Sequence, residues 1–207
     1  MTDQALIPRQ PTEPAVVRSG AIVLTRHGEP ALSRRCKLTS AEYRAWWAKY
    51  EIGGLLGGQT PPPCLVEQAE RSTIFHSPRP RAVETARAVA GDRAMTEDAI
   101  FIEAPLPPPD FPSWFKVGPR AWGVIARFWW WAFNHHDEGE ETRDQAKERA
   151  KRAADLLVAK AGEGTDVVVF AHGFFNGMIG EALRRQGWRC TLDQGFHYWK
   201  ARRFERP

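Results

Sequence analysis

Short apolar blocks recur along the chain, separated by stretches of longer period. Ala21-Ile22-Val23-Leu24-Thr25 is too brief for a helix and rich in branched residues, which predicts a buried strand. Ser72-Thr73-Ile74-Phe75 and Asp166-Val167-Val168-Val169-Phe170-Ala171 read the same way, and Ala99-Ile100-Phe101-Ile102 is a further candidate. Between these blocks the spacing becomes helical. Thr39-Ser40-Ala41-Glu42 is a capping box ahead of Tyr43, Trp46, Trp47 and Tyr50, with Gly53-Gly54 as the stop. A second helix places Ala82, Val83, Ala86, Val89 and Ala90 on one face, with Pro80 near its first turn and Gly91 at its end. Thr142 and Gln145 open a helix over roughly 143–161, closed by Gly162. Phe175, Met178, Ile179, Ala182 and Leu183 share one face of another, and the region Phe196–Lys200 predicts a last strand at a sheet edge.

Strands alternating with helices predict an α/β fold of three layers, a mostly parallel central sheet with helices on both faces. The 207 residues suit a single domain over 19–207, preceded by a flexible tail over 1–18 that carries Pro8, Pro11 and Pro14. Pro105-Leu106-Pro107-Pro108-Pro109-Asp110-Phe111-Pro112 predicts a stiff loop. Residues 121–133 (AWGVIARFWWWAF) predict an aromatic helix that serves as core or as a lid, ahead of an interfacial membrane helix or a dimer face.

Composition adds less. The net charge of +4 favours anionic partners without choosing among phosphate esters, nucleic acid and membrane surfaces. Nucleic-acid binding would want a basic stripe or a stacking motif, and neither is visible. No stretch is apolar enough to span a bilayer, although peripheral membrane contact stays open. Three scattered cysteines (Cys36, Cys64, Cys190) and the lack of a secretory layout lead to the expectation of a cytoplasmic protein.

The informative feature is where polar residues fall. Successive predicted strands end in Arg26-His27, in His76-Ser77 with Arg81 just beyond, in Glu103 and in His172. A parallel sheet brings such ends to one edge, where ligands bind in open α/β sheets. Guanidiniums match phosphate oxygens, a neutral imidazole can attack phosphorus, and a carboxylic acid can protonate a leaving alkoxide. An arginine in a helix's first turn opposes the helix dipole, which for Arg81 is better explained by a bound anion than by a surface role. His76 reads as a neighbour of this pocket, and His135 and His136 read as solvent-facing. Arg79 divides evenly between substrate contact and exposed residue.

These residues resemble the histidine phosphatase superfamily, the phosphoglycerate mutase-like proteins. Thr25-Arg26-His27-Gly28-Glu29 is similar to its R-H-G-E signature, Ser77–Ala86 to its S-x-x-x-R-A-x-x-T-A segment, and Val168–Gly173 to its second histidine strand. The resemblance implies that His27 is the phosphorylated nucleophile and that Arg26, Arg81 and His172 bind the phosphoryl group. It further implies that the Gly173 N–H adds an oxyanion contact and that Glu103, 22 residues after Arg81, serves as acid and then base. Where mutases continue with Ser or Thr and a Trp-Asn pair, this chain has Pro30-Ala31-Leu32-Ser33-Arg34, so Ser33 or Arg34 is the substitute phosphate contact. Asp110 is the reserve acid. The expected activity is hydrolysis of a phosphomonoester, a phosphorylated small molecule or phosphoprotein, with no cofactor and no metal. A phosphomutase, or a non-catalytic phosphate-binding module, is the alternative.

Overall fold

The computed structural model describes residues 19–207, so the tail predicted over 1–18 lies outside the described residues. In chain order the first elements are β1 (Ile22–Arg26), α1 (Ser40–Glu51), α2 (Pro63–Glu70), β2 (Ser72–His76) and α3 (Pro80–Ala90). There follow β3 (Thr96–Glu97), α4 (Pro119–Phe133), α5 (Arg143–Gly162) and β4 (Asp166–Ala171). The chain ends with α6 (Gly173–Arg185), β5 (Arg189–Asp193) and β6 (Ala201–Glu205).

β4 can occupy the middle of the sheet because Val167 to Ala171 are apolar on both faces, and all five are buried. β1 and β2 flank it in parallel, with Arg26 opposite Ala171 and His76 opposite Phe170. β3 extends β2 in parallel, while β6 and then β5 continue from β1 in antiparallel pairing, giving the order β3-β2-β4-β1-β6-β5. The expected three-layer fold is therefore present. Side-chain alternation sends Ile22, Leu24, Val167 and Val169 to one face, against α5 and α6. Val23, Ile74, Val168 and Phe170 go to the other, against Leu65 and Ala69 of α2 and Ala86 and Val89 of α3. A separate aromatic cluster joins α1 to α4 through Tyr43, Trp46, Tyr50 and Trp122.

Two expected strands are absent. Ala99–Phe101 winds into a 3-10 turn because the Asp98 carboxylate accepts the Ile100 N–H at 2.8 Å, and the strand is only Thr96–Glu97. The apolar character of that segment buries Phe101 against Phe75 instead. Phe196–Lys200 is the connection between β5 and β6, and Trp199 takes φ +60 there. β5 itself is mostly exposed and polar, so its sequence carries no burial signal. Helix α2 has no counterpart among the predicted elements. The aromatic helix α4 is core on one face only: it buries Trp122, Ala126 and Trp130 but leaves Phe128, Trp131 and Phe133 exposed.

Candidate active site

The parallel pairing runs one residue past each strand. The His27 N–H donates to Ala171 O at 3.0 Å and the Ser77 N–H to Phe170 O at 3.1 Å. This sets His27, Ser77 and His172 side by side at the carboxyl edge, and the His27 and His172 rings lie 5.3 Å apart. Gly28 is required by the same turn, because a Cβ there would come within 2.5 Å of the Trp199 indole. Thr85 ties the turn to α3: its hydroxyl accepts the Gly28 N–H at 2.9 Å and donates to Arg81 O at 2.6 Å.

Arg81, wholly buried, is the hub. Its Nε donates to His27 Nε2 and its Nη2 meets His172 Nδ1, each at 3.3 Å, while Nη1 donates to Tyr50 O at 2.9 Å. A guanidinium can only donate, so both imidazole nitrogens facing Arg81 carry lone pairs. The other nitrogens then carry the protons. His27 Nδ1–H donates to Gly28 O at 2.7 Å, and His172 Nε2–H donates to Ser77 Oγ at 2.9 Å. Burial, then the Arg81 and Arg26 guanidiniums, hold the His27 imidazole well below its ordinary value. Burial and Arg81 act likewise on His172. Both rings are neutral near pH 7, with the Nε2 lone pair of His27 directed at the cationic centre of the site.

Glu103 reaches the same edge from the 3-10 turn. Its carboxylate accepts the N–H groups of Phe175 at 2.8 Å and Phe174 at 3.4 Å, at the start of α6 beside His172. Gly173 packs against Arg26, since a Cβ on it would lie 3.3 Å from Arg26 Cδ. Arg26 donates from Nη1 to Phe196 O at 2.6 Å, while its buried Nε has no hydrogen-bond partner. Of the two candidates after the first motif, Ser33 is exposed and its Oγ accepts the Arg35 N–H. Arg34 instead reaches the site wall, donating to the Tyr50 hydroxyl at 3.0 Å, and its charge bears on His27. Asp110 is 93% exposed and faces Arg44, away from the histidines. His76 is buried one residue from the cluster, with Nδ1 on Ser77 O. His136 is exposed as expected, whereas His135 is half-buried with Nε2 near Pro108 O.

Three residues had no site role in the sequence reading. Glu51 bonds Arg81 at 2.8 Å and Arg79 at 2.6 Å, which makes Arg79 an ion-pair partner rather than a free surface cation. Glu51 ends α1 and Arg81 sits in the first turn of α3, so each opposes its own helix dipole. An acid at a helix C-terminus was the signal that could have found it. Tyr50 stacks on Arg81, with its ring centroid 4.4 Å from the guanidinium carbon. Tyr198 covers Arg26 at 4.3 Å and lies 5.7 Å from the His27 ring.

Two clefts adjoin this cluster. One of about 510 Å³ is lined by Glu103, Glu51, Arg79, Trp47 and the proline loop. The other, of about 790 Å³, is lined by Arg26, Gly173, Phe174, Phe196, Trp131 and residues of α5 and α6. Among the described residues no helix is long and apolar enough to cross a membrane.

Comparison with known proteins agrees with the geometry. The family described as histidine phosphatase superfamily (branch 1) matches residues 65–193, which include Arg81, Glu103 and His172. No curated protein matches the chain. Among solved structures, the product of open reading frame Rv3214 from Mycobacterium tuberculosis is 19% identical, with a TM-score of 0.51 over 90% of this chain and 96% of that one. A variant phosphoserine phosphatase from Entamoeba histolytica, in complex with phosphoserine, is 16% identical, with a TM-score of 0.53 over 89% of each chain. At such identities the likeness is one of fold. With more than half of its length matched by the family, the chain belongs to the histidine phosphatase superfamily, branch 1.

Proposed function

We propose that the protein hydrolyses phosphomonoesters through a phosphohistidine on His27. The reading rests above all on one arrangement: a buried Arg81 bonded at once to His27 Nε2 and His172 Nδ1, with Gly28 O fixing the proton of His27 on Nδ1. In the first step Nε2 attacks phosphorus and the bond to the ester oxygen breaks, while Glu103 gives that oxygen a proton. The proton on Nδ1 stays there throughout, donated to Gly28 O. In the second step the Glu103 carboxylate takes a proton from water, the hydroxide attacks phosphorus, and the N–P bond breaks to restore neutral His27 and release phosphate. Arg26, Arg81 and Arg34 neutralise the phosphoryl oxygens and the Gly173 N–H completes the cradle, while the His172 Nδ1 lone pair orients Arg81 beneath it. Three guanidiniums repel a metal cation, so the step is written without one.

The leaving group sits in the 510 Å³ cleft, because the acid Glu103 lines it. Trp47, Leu106 and the flanking prolines give that cleft one carbon wall, and Arg44, Arg79 and Arg149 with several carboxylates line the rest. This favours a bulky, partly apolar alcohol with polar groups over a small one. The test is phosphate release from a panel of aryl, alkyl and sugar esters by the wild type and by His27→Ala. Release by the wild type alone, fastest on bulky esters, is expected. Isomer formation without phosphate release would make the protein a mutase, and equal release by the His27→Ala variant would remove His27 from the chemistry.

A further inference from the structure

The connection between β5 and β6 places a tyrosine over the catalytic edge, beyond residue 193 where the family match ends. The Arg26 N–H donates to Lys200 O at 3.0 Å, which carries the β1–β6 pairing past the strand and sets Tyr198 above Arg26 and His27. Its neighbour Trp199 pins the connection by donating from Nε1 to Gln59 Oε1 at 2.8 Å. Trp199 adopts φ +60, a conformation bulky residues avoid, so the surrounding contacts hold Tyr198 where it is.

The Tyr198 hydroxyl is buried and has no hydrogen-bond partner. Buried hydroxyls nearly always find one, and an exception at a functional site needs a reason. The guanidiniums packed on the ring offer the hydroxyl proton no acceptor. Arg26 at 4.3 Å and Arg34 at 5.4 Å can only donate, and the buried Nε of Arg26 is also without an acceptor. Two orphaned donors beside one neutral imidazole call for an acceptor that carries several oxygens. Burial, with Tyr50 close by, keeps the phenol protonated and therefore a donor.

We propose that Tyr198 is a further catalytic residue, its hydroxyl donating to a non-bridging oxygen of the phosphoryl group in transfer to His27. The proposal rests on the phosphatase reading above and adds to it a ligand from the C-terminal connection. Tyr198→Phe keeps the ring and its packing on Arg26 and removes only the hydroxyl. It is expected to lower kcat/KM roughly 100-fold, as loss of one transition-state donor does, and to weaken inhibition by orthovanadate to a similar degree. The thermal midpoint should hold or rise, because an unpaired buried hydroxyl leaves with the substitution. A purely structural hydroxyl would instead leave kcat/KM and vanadate inhibition within about twofold of wild type, and that result overturns the proposal. Should Tyr198→Phe fold poorly, Tyr198→Leu must lose at least as much activity, and a fully active Leu variant overturns it equally. A wild type that releases no phosphate from any ester would defeat the phosphatase reading itself. Titration with inorganic phosphate would then still test the hydroxyl, since equal affinity in wild type and Tyr198→Phe contradicts its role as an anion ligand.

Discussion

The parallel half of the sheet and the β5–β6 connection meet at His27, yet they hold their residues by different means. On the sheet side His27, His172 and Arg81 are at most 2% exposed, fixed by backbone pairing between β1, β4 and β2 and by side-chain bonds to Gly28, Ser77 and Tyr50. On the other side Tyr198 and Trp199 are half-buried and Phe196 is exposed, held by Arg26 and Gln59 across a few bonds. The first is a floor built into the fold. The second is a roof, and beneath it His27 is only 2% exposed. Chemistry should therefore respond to changes in the floor and to loss of the Tyr198 hydroxyl, and access to changes in the contacts that hold the roof in place.

The largest effect expected from a floor change short of the nucleophile is that of Arg81→Lys. An ammonium cannot meet both imidazoles and Glu51 in one plane, so kcat should fall by roughly 10² to 10³. Steady-state rates on one good ester check this. Glu103→Gln comes next. It should cost about 10²-fold on alkyl esters, whose leaving oxygen needs a proton, and far less on p-nitrophenyl phosphate, whose leaving group does not. A uniform loss on both would take the acid role from Glu103. Loosening the roof's anchor while leaving the Tyr198 hydroxyl intact should do less. Gln59→Ala removes the acceptor of the Trp199 indole and two bonds to the Glu29 backbone, and is expected to shift kcat/KM by under about tenfold, with the rate of phosphoenzyme hydrolysis unchanged.

The smallest effect is on stability, and it too belongs to the floor. Unfolded His27 and His172 take up protons near pH 6.5, whereas folded they stay neutral to well below it. The unfolded chain therefore binds more protons in that window. Stability is complete above about pH 6.5 and falls as pH drops toward the depressed folded values, by at most about 1.4 kcal/mol per pH unit for each ring. Thermal midpoints in phosphate-free buffer should show this slope, and His172→Asn should flatten it.

The same division governs what the amino-acid sequence discloses. Arg26, His27, Arg81 and His172 each sit at a strand end or in a helix's first turn, where a local pattern of apolar run and polar break marks them. Glu51 left only the weaker mark of an acid at a helix C-terminus, and Tyr198 and Gln59 reach the site from segments with no such break, where only tertiary packing brings them in. Burial without regular structure misleads in the same way. Ala99–Ile102 is apolar because Phe101 packs under the sheet, and Phe196–Lys200 is aromatic because it roofs the site. Neither is a strand.

The central claim is a covalent one, and trapping tests it most directly. The protein should be mixed with a good ester, quenched within milliseconds in base, digested and mapped for phosphate. The account predicts acid-labile, base-stable phosphate on Nε2 of His27, formed and lost at rates consistent with turnover. Phosphate on another residue, or turnover with no phosphoenzyme at any time, would contradict it.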